Sequence, residues 1–150
     1  MILTVLGSGT SHGVPMIGCR CAVCVSSDPK NKRYRPSILI TADDGANLLV
    51  DTPLEMRLAM IENDISRLDA ILYTHSHADH IFGLDDVRTF NYRSKVAMPI
   101  YAEASVLDDL QRTFSYIFTA TQAGGGKPQV DLNEIAPGES LPLHGVDILP

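Results

Sequence analysis

The segment from His75 to His80 concentrates side chains that bind metal ions. Three histidines and an aspartate lie within six consecutive residues, namely His75, His77, Asp79 and His80. Imidazole and carboxylate groups are ligands for zinc, manganese or iron, and they discriminate only weakly among these ions. A single histidine is most often a residue with a satisfied hydrogen bond, but four candidate ligands at this spacing predict a metal site.

The spacing also predicts which of these ligands would bind the same metal ion. Side chains two residues apart in an extended segment point the same way. His75 and His77 can therefore converge on one ion, and Asp79 shares their period if the backbone stays extended. Asp79 and His80 are adjacent, so a turn there can aim both at a second position. We expect two divalent ions, zinc or manganese, with two of these ligands on each.

A pair of such ions implies hydrolysis. Metal ions roughly 3.5–4 Å apart can share a bridging hydroxide, which is nucleophilic at neutral pH because the ions lower its pKa. They also stabilise the negative charge that develops on a phosphoryl or carbonyl oxygen. The predicted reaction class is the hydrolysis of an ester, an amide or a phosphodiester.

A second cluster consists of three cysteines, Cys19, Cys21 and Cys24. An odd number at such tight spacing cannot make a paired disulfide framework. Soft thiolates this close together indicate a metal ion, most simply zinc. The alternative is three unrelated thiols in a turn.

Hydrophobic patterning predicts the elements that must position these clusters. Strands are expected at residues 2–6, 37–42, 47–51, 69–74, 99–102, 129–135 and 146–149. Helices are expected at residues 54–63 and 105–118, a loop with a short helix at 81–92, and a glycine hinge at 124–126. Residues 43–46 carry Asp-Gly between two apolar runs, which predicts a hairpin. The strand over residues 69–74 ends directly before His75.

Each of the two longer helices is predicted to be amphipathic. In the first, Leu54, Leu58 and Ile61 recur at helical spacing after Pro53. In the second, Val106, Leu110 and Phe114 lie on one face. The apolar face of such a helix normally packs on the core.

The composition is that of one globular domain, with 150 residues, 45% hydrophobic and 20% charged. The formal net charge of -6 disfavours a protein that holds nucleic acid by bulk electrostatics, although bound metal ions can still attract a small anion. The basic residues Lys30, Lys32, Arg33 and Arg35 either help to attract that anion or form a solvated loop. No membrane-spanning run or signal-peptide pattern occurs, so no membrane association and a cytoplasmic location are expected.

The histidine motif follows a strand, and an earlier strand ends in Leu48-Leu49-Val50-Asp51-Thr52. This arrangement resembles the metallo-β-lactamase superfamily. The resemblance implies an α/β (α+β) fold, a four-layer αββα sandwich built from two similar halves with the metals at one edge. It assigns His75 and His77 to one metal, and Asp79 and His80 to the other. Asp51 would brace the metal loop and, with Asp79, serve catalysis; the alternative for Asp51 is an ordinary turn acid.

The N-terminal pattern narrows this resemblance. Gly7-Ser8-Gly9-Thr10-Ser11-His12-Gly13-Val14-Pro15, followed by Gly18-Cys19-Arg20-Cys21-Ala22-Val23-Cys24, resembles a cytosolic subgroup that includes the phosphoribosyl cyclic phosphodiesterase of phosphonate catabolism. In that subgroup the cysteine loop holds a structural zinc, which Cys19, Cys21 and Cys24 would bind here. The resemblance runs from residue 1 to at least residue 84.

The resemblance also implies ligands that the 150 residues do not clearly supply: a third histidine for the first metal, a bridging aspartate, a last histidine for the second metal and a fourth ligand for the structural zinc. We interpret His144 as a turn histidine rather than that third ligand. His12, in the glycine loop, is a candidate contact to a metal or to substrate, and a loop histidine is the alternative.

Residues 1–150 are therefore expected to form a single metallo-β-lactamase-like domain that is incomplete at its C terminus and covers about the first half of the sandwich. A lone first half leaves an apolar sheet face uncovered, which soluble monomers avoid. We accordingly expect a homodimer or an exchange of elements between copies.

These observations support three functions to different degrees. The leading hypothesis is a metal-dependent phosphodiesterase that acts on a small cyclic phosphate or nucleotide-like substrate. An endoribonuclease similar to tRNA 3′-end-processing enzymes would need an RNA-gripping arm or basic patch. A non-catalytic fragment or binding module that keeps half a metal site is the third. A β-lactamase proper is disfavoured because no export signal is present.

Overall fold

A computed structural model describes residues 1–120 and 126–150. Its strands are β1 Ile2–Gly7, β2 Ser37–Thr41, β3 Asn47–Val50, β4 Ala70–Leu72, β5 Met98–Ala102, β6 Val130–Glu134, β7 Leu141–Leu143 and β8 Val146–Ile148. Its helices are α1 Met56–Glu62, α2 Ala78–Ile81, α3 Arg88–Ser94, α4 Ala104–Thr113 and α5 Ser115–Phe118, with short 3₁₀ turns at Pro29–Asn31 and Leu84–Val87. The hinge predicted at residues 124–126 lies, except for Gly126, outside the described residues.

Six strands form one mixed sheet in the order β1-β2-β3-β4-β5-β6. The pairs β1–β2 and β2–β3 are antiparallel, and the pairs from β3 to β6 are parallel. The predicted hairpin is confirmed, and Gly45 in its turn has a φ of 83°, which glycine adopts without steric cost. Because β3 and β4 are parallel, the loops that follow them lie at the same edge of the sheet.

One face of the sheet is covered by the helices. Its centre consists of Leu49, Ile71 and Ile100, which are fully buried and adjacent across β3, β4 and β5. Each of the five helices packs a side chain into this core: Met56 and Met60 from α1, Ile81 from α2, Phe90 from α3, Leu110 from α4 and Ile117 from α5. Within residues 1–120 and 126–150, no helix has both the length and the apolar character needed to cross a bilayer.

The opposite face carries a smaller apolar cluster around Leu48, Ala70 and Leu72. The β7–β8 hairpin packs on this cluster with the partly buried side chains Leu141, Leu143, Val146 and Ile148. A helical layer, a sheet and the beginning of a second β layer make up the first half of an αββα sandwich, so the predicted fold is confirmed.

Part of this second face stays open. Leu3 pairs with Ile40 across β1 and β2 and therefore points to the same side as the Leu48 cluster. Leu3 and its face neighbour Val5 are 57% and 58% exposed. An exposed apolar strip of this kind is what motivated the expected homodimer, which stays a prediction.

The apolar face predicted for the first helix is wrong. Helix α1 begins at Met56 and buries Met56, Ala59 and Met60. The predicted residues Leu54, Leu58 and Ile61 are 54%, 44% and 63% exposed. Both sets recur at helical spacing, so periodicity alone does not choose between them. Packing against the sheet decides between them, and it takes Met56, Ala59 and Met60 into the core.

Three other elements differ from the sequence-based expectation. The helix predicted over residues 105–118 is divided at Phe114, whose φ of -110° and ψ of 40° are not helical, although Val106, Leu110 and Phe114 are buried as predicted. Strand β7 was missed because it has three residues with a proline at its centre. The extended backbone that we allowed as far as Asp79 ends at His77, directly before α2.

The corrected helix face can be tested by stability measurements. Met60→Ala should lower the free energy of unfolding by about 2–5 kcal/mol, because a side chain that is 4% exposed leaves a cavity in the core. Leu58→Ala, on the opposite side of the same helix, should change it by less than about 0.5 kcal/mol. Urea denaturation of both variants is the measurement. Equal destabilisation by the two substitutions would contradict the assigned face.

Candidate metal centre

The histidine motif lies at the carboxyl end of β4, at the edge where the loops after β3 and β4 meet. His77 has extended backbone angles, φ -66° and ψ 150°, and directly precedes α2. Asp79 and His80 therefore lie on the first turn of a helix. The change from extended to helical backbone within the motif separates the pair His75 and His77 from the pair Asp79 and His80.

The structure brings these four side chains together. The ring centroid of His75 lies 4.6 Å from that of His77 and 3.9 Å from that of His80. The Nε2 atom of His80 is 3.3 Å from Oδ2 of Asp79. Burial, followed by the neighbouring His80 and His77, lowers the pKa of His75. Its imidazole is thereby held in the neutral form, which is the form that binds a metal ion.

The carboxylate of Asp51 connects the two ends of the motif. Its Oδ1 accepts the backbone N–H of Thr74 at 2.9 Å, and its Oδ2 accepts the Thr74 hydroxyl at 2.7 Å and Nδ1 of His80 at 2.7 Å. Asp51 has a φ of 62°, a left-handed conformation that aspartate and asparagine tolerate better than most residues. These are the contacts that a residue bracing the metal loop would make.

The same contacts decide which ring nitrogens are free. A carboxylate only accepts hydrogen bonds, so Nδ1 of His80 donates to Asp51, and Nε2 is the ring nitrogen that faces Asp79. The Thr74 hydroxyl gives its one hydrogen to Asp51 and therefore accepts from Nδ1 of His75, 3.0 Å away. In both histidines Nδ1 is engaged in a hydrogen bond to a neighbouring side chain, which leaves Nε2 as the nitrogen that could bind a metal ion.

Three buried residues that the sequence analysis gave no role, Thr52, Tyr73 and Gly83, hold α2 in place. The backbone N–H of Thr52 donates to the carbonyl of His80 at 2.7 Å, and its hydroxyl lies 2.8 Å from the Tyr73 hydroxyl. Burial raises the pKa of Tyr73, so this phenol stays neutral. Gly83 donates to the Thr52 carbonyl at 2.8 Å, and a Cβ atom there would lie 2.3 Å from the Pro53 carbonyl oxygen. The only sequence signal was the polar Thr52 directly after a buried strand.

The chemistry of the donor set fits half of a two-metal site. Imidazole with imidazole, and carboxylate with imidazole, are suitable ligand pairs for zinc or manganese. A catalytic zinc usually has three protein ligands and one open position, so each pair needs completion. Across residues 1–120 and 126–150, the cysteine cluster is the one group of three or more ligating side chains whose donor atoms all lie within 4.8 Å of one another.

That cysteine cluster has the geometry of a metal site lacking one ligand. Cys19 and Cys24 are partly buried and Cys21 is exposed. The backbone N–H of Cys24, then the side chains of Cys19 and Cys24, lower the pKa of Cys21 to about 7. A thiolate is therefore available near neutral pH, which metal binding requires.

The other candidate residues lie elsewhere. His144 occupies the turn between β7 and β8, and its Nδ1 is 3.0 Å from Oδ2 of Asp44 in the β2–β3 turn. That turn is at the opposite end of β3 from Asp51, so His144 is a turn histidine, as expected. His12 is exposed in the loop after β1, and the described residues offer its ring no hydrogen-bond partner. Its contact with a metal or substrate stays a prediction.

The basic stretch is not uniformly available to an anion. Arg35 forms an ion pair with Glu55, and its Nε donates to the Ser11 carbonyl at 2.9 Å. Both side chains of the ion pair are about three-quarters buried. Arg35 therefore ties the glycine loop to the start of α1, whereas Lys30, Lys32 and Arg33 are exposed.

The role of Asp51 can be tested with Asp51→Asn, which tolerates the left-handed backbone. The amide nitrogen would face Nδ1–H of His80 and push the histidine proton onto Nε2, where the metal must bind. Metal affinity should fall by about 10- to 100-fold, measured by zinc competition with a chromophoric chelator. Asp64→Asn is the matched control, since Asp64 is exposed and also has a positive φ of 54°. Equal zinc affinities in the two variants would contradict the bracing role.

The cysteine cluster should bind zinc in a pH-dependent way. Because the pKa of Cys21 is lowered to about 7, its thiolate is present above that pH and is lost below it. Zinc should therefore protect all three cysteines from iodoacetamide at pH 8 and progressively less as the pH falls below about 7. Peptide mapping by mass spectrometry reports the modification of each cysteine. Alkylation that is unaffected by zinc at pH 8 would show that the cluster binds no metal.

Comparison with known proteins agrees with this geometry. The crystal structure of a diphosphatase from the PhnP family superposes with a TM-score of 0.86 at 44% identity, over 99% of this chain and 55% of that protein. The Zn²⁺-bound PqqB of Methylobacterium extorquens superposes with a TM-score of 0.74 over 93% of this chain and 50% of that one, and its 22% identity shows likeness of fold alone.

A relative of known sequence, an octanoyltransferase of Porphyromonas gingivalis, is 41% identical over 143 residues, which are 95% of this chain and 28% of that protein. The chain thus spans about half, or less, of the length of the proteins that it matches. Residues 46–150 match the Beta-lactamase superfamily domain. With the histidine motif and the half-sandwich in place, the match shows that the chain belongs to the metallo-β-lactamase superfamily.

Proposed function

We propose that the protein is a metal-dependent hydrolase of a small phosphate substrate, a phosphodiesterase that acts on a cyclic phosphate or a nucleotide-like molecule. In this proposal His75 and His77 hold one divalent ion, and Asp79 and His80 hold a second. The supporting observation is the buried Asp51 carboxylate, which contacts Nδ1 of His80 and leaves its Nε2 3.3 Å from Oδ2 of Asp79. A carboxylate behind a histidine is a common outer partner of metal ligands.

Two zinc or manganese ions bound there would activate water and neutralise charge on the phosphoryl oxygens. The residues of this chain orient the ligands. Asp51 and Thr74 fix the ring tautomers, and Thr52 fixes the backbone of His80. Asp79 supplies the negative charge of the ligand set. Asp79 and Asp51 are accordingly the acids on which activity should depend most.

A phosphate substrate is favoured by the solved diphosphatase of the PhnP family, which is 44% identical over almost this whole chain. Its described activity also supports a second candidate, the hydrolysis of a diphosphate. Both reactions require a phosphoryl group to contact the two ions. The formal net charge of -6 gives less support to an RNA substrate, because RNA binding depends strongly on basic surfaces.

Further parts of the proposal come from the resemblance. A third histidine, a bridging aspartate and a last histidine would complete the two metal sites, and a fourth ligand would complete a structural zinc at Cys19, Cys21 and Cys24. Residues 1–150 would then be a single domain that needs additional residues for turnover. A non-catalytic fragment with half a metal site is the alternative. A cytoplasmic location and a homodimer that covers the open strip at Leu3 and Val5 belong to the same proposal.

Hydrolysis of bis(p-nitrophenyl) phosphate by the whole protein tests the chemistry. The zinc- or manganese-loaded protein should be active, and a chelator should abolish activity reversibly. His77→Ala and Asp79→Ala should each lower kcat/KM by more than about 100-fold, since loss of a ligand exceeds the loss of an outer partner. A cyclic ribose phosphate and a nucleoside diphosphate, assayed side by side, distinguish the two candidate substrates.

The control for this experiment is His144→Ala. His144 is a histidine in the β7–β8 turn, away from the motif, so its removal should leave kcat/KM unchanged. If His77→Ala and Asp79→Ala both keep full activity, the assignment of the site is wrong. A metal-loaded whole protein that cleaves none of these substrates would favour the non-catalytic alternative.

A further inference from the structure

Ser76 lies between the two histidines of the first ligand pair, and its side chain points away from them. Residues two apart share a face in an extended segment, so the residue between them faces the opposite way. The Ser76 hydroxyl donates a hydrogen bond to Oδ2 of Asp109, on α4. This contact joins positions 33 residues apart in the chain.

Residues 75–77, at the centre of the motif, make few other hydrogen bonds to the rest of the fold. Asp51 holds Thr74 and His80, which lie at the two ends. In the part of the chain that the structure describes, the backbone N–H groups of residues 75–77 donate no hydrogen bond. The Thr74 hydroxyl contacts the His75 ring, and the His77 carbonyl accepts hydrogen bonds from the first turn of α2. The Ser76 hydroxyl is the contact that joins the middle of this segment to α4.

Asp109 is itself well fixed. Arg112, one turn further along α4, forms an ion pair with its other carboxylate oxygen. Val106 and Leu110 bury the core-facing side of the helix. The Ser76 hydroxyl, followed by the Arg112 guanidinium, holds the pKa of Asp109 below its usual range, so the acceptor stays charged.

We propose that Asp109 is a positioning residue for the first metal-ligand pair. Through Ser76 it holds the backbone that carries His75 and His77, and Arg112 orients its carboxylate. The inference rests on the proposed function, since it requires His75 and His77 to bind a metal ion. Asp109 would thus determine where the two imidazoles meet the ion, without binding the ion itself.

The test is a Co²⁺ titration of the whole protein, followed through the ligand-field absorption of the ion at the histidines. Asp109→Ala should weaken binding at His75 and His77 by about 10- to 100-fold, the usual cost of losing an outer partner. Asp108→Ala is the matched control. Asp108 is an exposed neighbour on the same helix with the same charge, so its removal should leave the titration unchanged.

Substitutions at Ser76 separate positioning from general stability. Ser76→Ala should reproduce the loss of affinity, and Ser76→Thr should retain the affinity because it keeps the hydroxyl. The double variant Ser76→Ala/Asp109→Ala should bind no more weakly than either single variant, because both changes remove one contact. Thermal unfolding of each variant reports whether the fold is intact.

The outcomes distinguish this inference from the proposed function. Parent-like Co²⁺ affinity and absorption in Asp109→Ala would overturn the inference alone. A loss in Asp109→Ala that Ser76→Ala does not share would also overturn it, by assigning Asp109 a structural role. A parent protein in which His77→Ala does not change Co²⁺ binding would overturn both.

Discussion

The site depends on the burial of one charged group, the carboxylate of Asp51. This residue is 4% exposed, and a buried carboxylate is tolerated only when hydrogen-bond donors compensate the loss of water. Three donors do so here, two from Thr74 and one from His80. They belong to the segment after β4, whereas Asp51 follows β3. The carboxylate therefore fixes the relative position of two loops, and it does so with hydrogen bonds that also orient the His80 ring.

This constraint explains why the motif needs its particular backbone. The donors reach Asp51 only if β3 and β4 are adjacent and parallel, as the pairing of Leu49 with Ile71 establishes. The left-handed φ of Asp51 turns its side chain back towards Thr74. The backbone N–H of Thr52 then holds α2 through its hydrogen bond to the His80 carbonyl. Stability and the geometry of the motif are consequently coupled, because the hydrogen bonds that satisfy the Asp51 carboxylate also hold Thr74 and His80 in place.

Local features were predictable from the sequence where one interaction dominates. The hairpin around Gly45 follows from turn chemistry, and the histidine motif follows from ligand spacing. The buried face of α1 was not predictable, because the Leu54 set and the Met56 set fit the same period and only tertiary packing separates them. The contact of Ser76 with Asp109 is equally invisible in the sequence. It depends on how β5 and α4 bring a residue 33 positions away to the same edge of the sheet.

The cysteine cluster and the histidine motif differ in whether all coordination positions of a bound ion should be filled by protein. A structural zinc site is closed by four protein ligands, so the cysteine cluster, with three thiols within 4.8 Å, requires one more group to be complete. A catalytic site must keep a position for water or substrate, so under the proposed function the histidine centre would stay partly open even when all its ligands are present. Rigid outer contacts matter most in such an open site, because fewer protein ligands hold the ion. Asp51 contacts His80 directly and His75 through Thr74, whereas Asp109 contacts the segment between His75 and His77 through Ser76. In the proposed site the first ligand pair would therefore be supported from both β3 and α4.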